Sequence, residues 1–151
     1  MSVSYAPIPS RDDLLALFQA AVANAEGLLG DAELLVEFGR FPRAHALATL
    51  SWEELSKGQL CLLAAVFRDL SPEDFWTRFR DHESKVSRVH MFAVFMAPAP
   101  VGPTAAHAKK VASDARSSQD LKLRGLYVDY RRGRVLPPSG VPTEAVRRIT
   151  D

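Results

Sequence analysis

The sequence is poor in the residues that announce specialised chemistry. It holds one cysteine, Cys61, which excludes an intrachain disulfide and a zinc site built on paired cysteines. Its place on an apolar helical stripe reads as a small buried hydrophobe in a reduced compartment. An excess of charge is missing too: 19 basic and 18 acidic residues leave a net charge of +1. The surface is therefore not coated for a polyanion, although a local basic patch is allowed. No apolar run approaches the roughly 20 residues of a membrane-spanning helix, and the most apolar segment is only 60–67. The opening MSVSYAPIPSR has neither a basic start nor an apolar run, so no secretory signal and a cytoplasmic location are expected.

Motifs of common active sites are absent as well. There is no Walker-type glycine loop and no nucleophile elbow. None of the four histidines follows an acid by three residues, which removes the Glu-x-x-His pattern of di-iron bundles. No metal and no cofactor are expected.

What remains is helical periodicity in a chain long enough for one domain and too short for two. Residues 1–9, with two prolines and no periodicity, are expected to be a flexible arm. Ser10 with Asp13 is a capping-box-like start. From there Leu14, Phe18, Ala21, Ala25, Leu28, Ala32 and Leu35 recur at steps of four and three, giving a first helix that Gly39 closes. Gly27 and Gly30 within it are expected to mark close packing against another helix. Pro42 suits the first turn of a second helix, Phe41 to Phe67. Ser71, Pro72, Glu73 and Asp74 start a third, which the stripe Phe75, Phe79, His82, Val86, Val89, Ala93 and Met96 extends to Met96. Residues 97–103 are a Pro-rich break. A short weak helix over 104–115 and a polar break at 117–120 follow. Strand-like residues then place a small β-hairpin over 121–136, and a last short helix spans 143–149. The expected fold is all-α: an antiparallel helical bundle with a small C-terminal β-hairpin, a single domain over 1–151.

The second helix organises the rest. One of its stripes, Ala44, Ala48, Ser51, Leu55, Gly58 and Leu62, is small or apolar and admits a close neighbour. The adjoining stripe carries Arg43, Glu54 and Lys57, and Glu53 stands beside it. An ionisable group facing a helix interface needs a partner, because leaving it buried and unpaired costs several kcal/mol. Glu53, Glu54, Lys57, His82 and Lys85, with Asn24, Asp31 and Arg43, are the residues expected to meet between the first three helices. Two readings stand side by side. In one, His82 is a general acid or base while Lys57 and Lys85 stabilise phosphate charge. In the other, the cluster is an ion network that fixes helix register. The lysines would repel a metal cation. Near the C-terminus, Arg124 and other basic residues with Tyr127 and Tyr130 have the composition of a single-stranded RNA contact or of a solvated surface, in which Asp129 pairs with Arg124 or Arg131.

The run NAEGLLGDAELLVEFGRFPRAHALATLSWEELSKGQL, with FRDHESK and RGLYVDYRRG, resembles the AbiV-type abortive infection proteins. In that family an Asn, an acid in the first helix, an Arg-Ala step, a Glu-Glu pair and a small residue before Lys follow in this order; here the small residue is Ser56. The resemblance covers roughly Leu14 to Arg134. It implies a bacterial antiviral protein that stops phage multiplication by binding a phage or host protein, or RNA, and acts as a homodimer. The family is similar to HEPN helical bundles, many of them metal-independent ribonucleases with an Arg followed a few residues later by His. Arg40 and His45 have that spacing, at the start of the second helix rather than of a late one, and Arg78, Arg80 and His82 are closer together. The nuclease motif is therefore not carried over. A HEPN-like ribonuclease using His82, Lys57, Glu54 and Lys85 and a non-catalytic helical dimer or adaptor remain the alternatives.

Overall fold

Short-range caps set the helix starts. Ser10 Oγ accepts the Asp13 backbone N–H at 3.2 Å and donates to its carboxylate at 2.6 Å, opening α1 (Arg11–Glu37). Ser71 does the same for Asp74 at 3.1 and 2.7 Å, opening α3 (Pro72–Arg80), with Pro72 in its first turn. Each cap satisfies an N–H that the helix itself cannot, and the acids sit at the positive end of the helix dipole. Between them lies α2 (Phe41–Phe67). The turn from α1 to α2 is a Schellman motif: Arg40 N–H donates to Leu35 O at 2.8 Å and Gly39 N–H to Val36 O at 2.9 Å. Gly39 has φ +67°, a conformation that a Cβ would strain.

The computed structural model describes residues 5–67, 69–81, 105–131, 134–136 and 138. Residues 97–103 and 143–149 and the first four of the expected arm lie outside them. The arm residues 5–9 rest against the bundle: the Trp76 indole N–H donates to Ala6 O at 2.7 Å, and Ile8 packs on the core.

Helices α1 and α2 are antiparallel. Ser51 Oγ donates to Ala25 O at 2.8 Å, and Gly58 lies so near α1 that a Cβ there would stand 3.3 Å from the Phe18 ring. Gly27 and Gly30 do not mark close packing, because a Cβ at either would meet nothing within 4 Å. The fourth helix, α4 (Ala105–Leu126), crosses the other side of α2. A Cβ on its Gly125 would overlap the Pro42 carbonyl oxygen, while Lys122 reaches Glu53. As numbers fall on α4 they rise on α2, so this pair is antiparallel as well.

Two expectations about helix length are corrected. The third helix does not run on to Met96: Asp81 has an extended backbone (φ −75°, ψ 115°) and caps α3 after Arg80. Periodicity of apolar residues continues past that point, but it does not report the backbone turn at its edge. The weak helix over 104–115 and the break at 117–120 are one continuous helix, because the Lys122–Glu53 bond and the close approach of Gly125 to Pro42 hold α4 on α2, and such packing outweighs propensities of a few tenths of a kcal/mol.

The C-terminal β-hairpin over 121–136 is likewise corrected. Its expected first strand begins in the last turns of α4, where Leu121, Lys122, Leu123 and Arg124 are good helix formers, and the packed elements are all helices. Beyond α4 the backbone shows only three residues, Asp129–Arg131, running antiparallel to Arg134–Leu136. That pairing is too short to form a sheet layer. The fold is all-α.

Among the described residues the core has two parts. At one end Leu14, Leu60, Cys61, Ala64, Ala65 and Phe75 are buried together, with Phe18, Trp76 and Phe79 around them. Phe75 stacks on Phe79 with ring centroids 5.7 Å apart and meets Trp76 edge-on at 5.0 Å. At the other end Ala44 is enclosed by Leu35, Val36, Phe41 and Leu121.

Candidate functional site

Between these ends, α2 buries a seam of polar side chains. At about 100° per residue, His45, Ser56, Thr49 and Glu53 fall within about 80° of one another, turned away from Ser51 and Gly58, which face α1. All four are buried. The seam is closed by α4: Lys122 Nζ donates to Glu53 Oε1 at 2.5 Å, with the side chains 6% and 2% exposed. This is a charge-assisted bond in a low-dielectric setting, where attraction offsets the desolvation of both groups only while both are present. The flanks are less complete. One turn after Glu53, Ser56 Oγ is buried with no hydrogen-bond partner, and one turn before Lys122 so is Gln119 Oε1. Each such atom costs about 1–3 kcal/mol, so the seam is not arranged for maximum stability.

His45, 1% exposed, is the other ionisable group in the seam. Thr49 Oγ1 donates to the His45 carbonyl at 2.9 Å and lies 3.5 Å from its Nδ1. Burial pushes the imidazole down from its ordinary 6.5 to about 4, so the ring is neutral at physiological pH. Arg40, at the HEPN-like spacing, is exposed on the preceding turn, so the two residues do not share one open surface.

The expected cluster is only partly assembled. Glu53 is at its centre. Glu54 and Lys57 are bonded to each other along α2, with side chains 19% and 26% exposed, and so form a local pair rather than a bridge between helices. Asn24, Asp31 and Arg43 are exposed and do not enter the seam: each sits just off the buried stripe of its helix, and one residue is a 100° rotation. His82 and Lys85 lie outside the described residues. In the C-terminal group, Arg124 pairs with Asp120 at 2.9 Å on the surface of α4, Tyr127 is exposed, and the Asp129 side chain lies outside the described part. Among the described residues no group of three His, Cys, Asp or Glu side chains could hold a metal ion, and no helix is long and apolar enough to cross a membrane.

Lys122 is the residue that the expected cluster lacked. Its signal becomes visible once 105–126 is one helix: steps of four and three give Val111, Ala115, Ser118, Lys122 and Gly125, a lysine on a stripe of small residues.

Two of the cavities that border the described residues are open. One, of about 330 Å³, lies between the arm and α2, with Ile8, Ser10, Arg11, Leu14 and Leu70 among its walls. The other, of about 270 Å³, is lined by Gly39, Arg40, Pro42, Arg43 and Pro138 at the α1–α2 turn. Neither is lined by Glu53, Glu54, Lys57 or His45.

Comparison with curated proteins and with solved structures gives no match. A family model described as AbiV matches residues 13–148, which spans α1 to α4 and includes both members of the Glu53–Lys122 pair. The chain therefore belongs to the AbiV family of HEPN proteins, a membership that suggests an abortive-infection, phage-defence role.

Proposed function

We propose that this protein acts in the cytoplasm of an infected cell as a non-catalytic binding protein, engaging a phage or host component and so blocking translation or phage growth. Family membership supports the defence role. The observation that carries the non-catalytic part is the closed Glu53–Lys122 pair. A general acid, base or phosphate-stabilising group has to reach a reacting atom. Here the most buried carboxylate and the most buried ammonium among the described residues are bonded to each other, and neither is among the described residues that line the two cavities. Glu54 and Lys57 likewise engage one another. The ribonuclease reading, which joins these two to His82 and Lys85, gains no support from that arrangement. Homodimerisation belongs to the proposal through the HEPN resemblance.

The test is expression in a host challenged with a panel of phages. Lowered phage yield is expected, together with no cleavage when purified protein is incubated with RNA in the absence of metal. Cleavage that His82→Ala abolishes would overturn the non-catalytic reading, and normal yields across the panel would overturn the defence role.

A further inference from the structure

We propose that the α1–α2 turn is the surface on which the partner docks, and that the partner presents there an acidic segment flanked by apolar side chains. This inference rests on the reading of the chain as a binding protein and adds where and what it binds.

Among the described residues, the cavity at this turn has two arginines in its wall, Arg40 and Arg43, and no acid. Both are exposed, and neither side chain has an ion-pair or hydrogen-bond partner among the described residues. Arg40 stands just before α2 and Arg43 lies three residues on, in its first turn, and both line the same cavity. Their mounting is stiff: the Schellman bonds and Gly39 fix the chain before them, Pro42 stands between them, and the Arg40 carbonyl accepts the Arg43 and Ala44 N–H groups at 3.1 and 3.0 Å. Two unpaired guanidinium forks held on a rigid turn suit a carboxylate, which each can grip with paired hydrogen bonds at little ordering cost.

The surroundings decide what carries that carboxylate. Phe38, in the same turn, is 77% exposed, and Leu34 one turn before it on α1 is 54% exposed. Gly125 rests on Pro42, which brings the end of α4 alongside. Tyr127 and Val128, 62% and 65% exposed, follow within about 10 Å of chain. Aromatic side chains and arginine are what protein interfaces concentrate at their centres. A continuous phosphate chain fits less well, because exposed Glu33 and Glu37 flank the turn on α1 and the net charge is only +1, so a polyanion meets repulsion beside the two arginines.

The experiment measures binding of the full chain to a short synthetic peptide in which a Glu-Glu pair is flanked by leucine and phenylalanine. Its Gln-Gln counterpart and a single-stranded oligoribonucleotide serve as competing probes, and phage restriction is scored for the same variants. The acidic peptide is expected to bind, and the Gln-Gln peptide to bind about tenfold more weakly or worse. Arg40→Gln with Arg43→Gln should lose a similar factor, Phe38→Ser should weaken binding, and both variants should lose restriction with their melting curves unchanged. Failure of the acidic peptide to bind, equal binding by the double-arginine variant, or preferential binding of the oligoribonucleotide would overturn the proposal. Full restriction by the variants would overturn this surface while leaving the binding reading intact, whereas a wild-type chain that restricts no phage would sink that reading itself.

Discussion

The two halves of α2 are buried by different physics. Its C-terminal half, with Leu60, Cys61, Ala64 and Ala65, meets Leu14 and Phe75 in an apolar cluster, where stability scales with the area removed from water and neighbouring atoms share the load. Its middle, with His45, Thr49, Glu53 and Ser56, meets Lys122, and there each polar atom either has its partner or imposes a penalty. The apolar end degrades by degrees when a side chain shrinks. The polar seam is expected to fail abruptly when one member of a pair is lost, and to recover when the other is neutralised.

That contrast is open to direct attack. The largest expected effects are a matched pair: Phe75→Ala and Lys122→Ala should each cost about 3–5 kcal/mol in denaturant unfolding, the first through lost burial and a cavity, the second through a buried carboxylate deprived of its ammonium. Their rescues separate them. Phe75→Leu should recover most of the loss by refilling volume, whereas Lys122→Met should be rescued by adding Glu53→Gln, which removes the remaining charge and keeps its shape. If Glu53→Gln leaves the Lys122→Met variant as unstable as before, the seam does not depend on charge pairing.

A smaller effect is the pH response. His45, held at about 4 against an ordinary 6.5 by burial, stays neutral in the native state over a range where the unfolded chain takes up a proton. The unfolded state then binds more protons, so stability should fall as pH drops from about 6.5 to about 4 and be unaffected by this group above that window. The contribution is on the order of 3 kcal/mol, and His45→Gln should flatten it. The apolar half has no counterpart in this window, since burial pushes the Cys61 thiol up to about 11. An identical acid slope in wild type and His45→Gln would remove the imidazole from the seam's energetics.

Helix starts were legible because caps are local chemistry: Ser10, the Gly39 turn and the Ser71–Pro72 step each act within a few residues of where they stand. The α1–α2 pairing was legible for a related reason, the small stripe through Ser51 and Gly58. The end of α3 and the continuity of α4 were not, because Asp81 turns within an unbroken apolar pattern and α4 is held on α2 by tertiary contacts at Lys122 and Gly125. Most of the candidate site was hidden in the same way. Glu53 was legible as an acid beside the charged stripe of the second helix, but Lys122, to which it is bonded, is 69 residues away on a helix expected to end before it. Gly125 was equally silent, since only the neighbouring Pro42 carbonyl requires the missing Cβ.

The central claim is that the ionisable groups inside the molecule hold helices together while recognition happens on its surface. The direct measurement is phage restriction by the Glu53→Gln/Lys122→Met double variant, with its unfolding curve taken on the same preparation. The account predicts a folded protein that restricts phage as well as the wild type. A folded double variant that no longer restricts would show that the buried pair serves the activity itself, and would contradict the account.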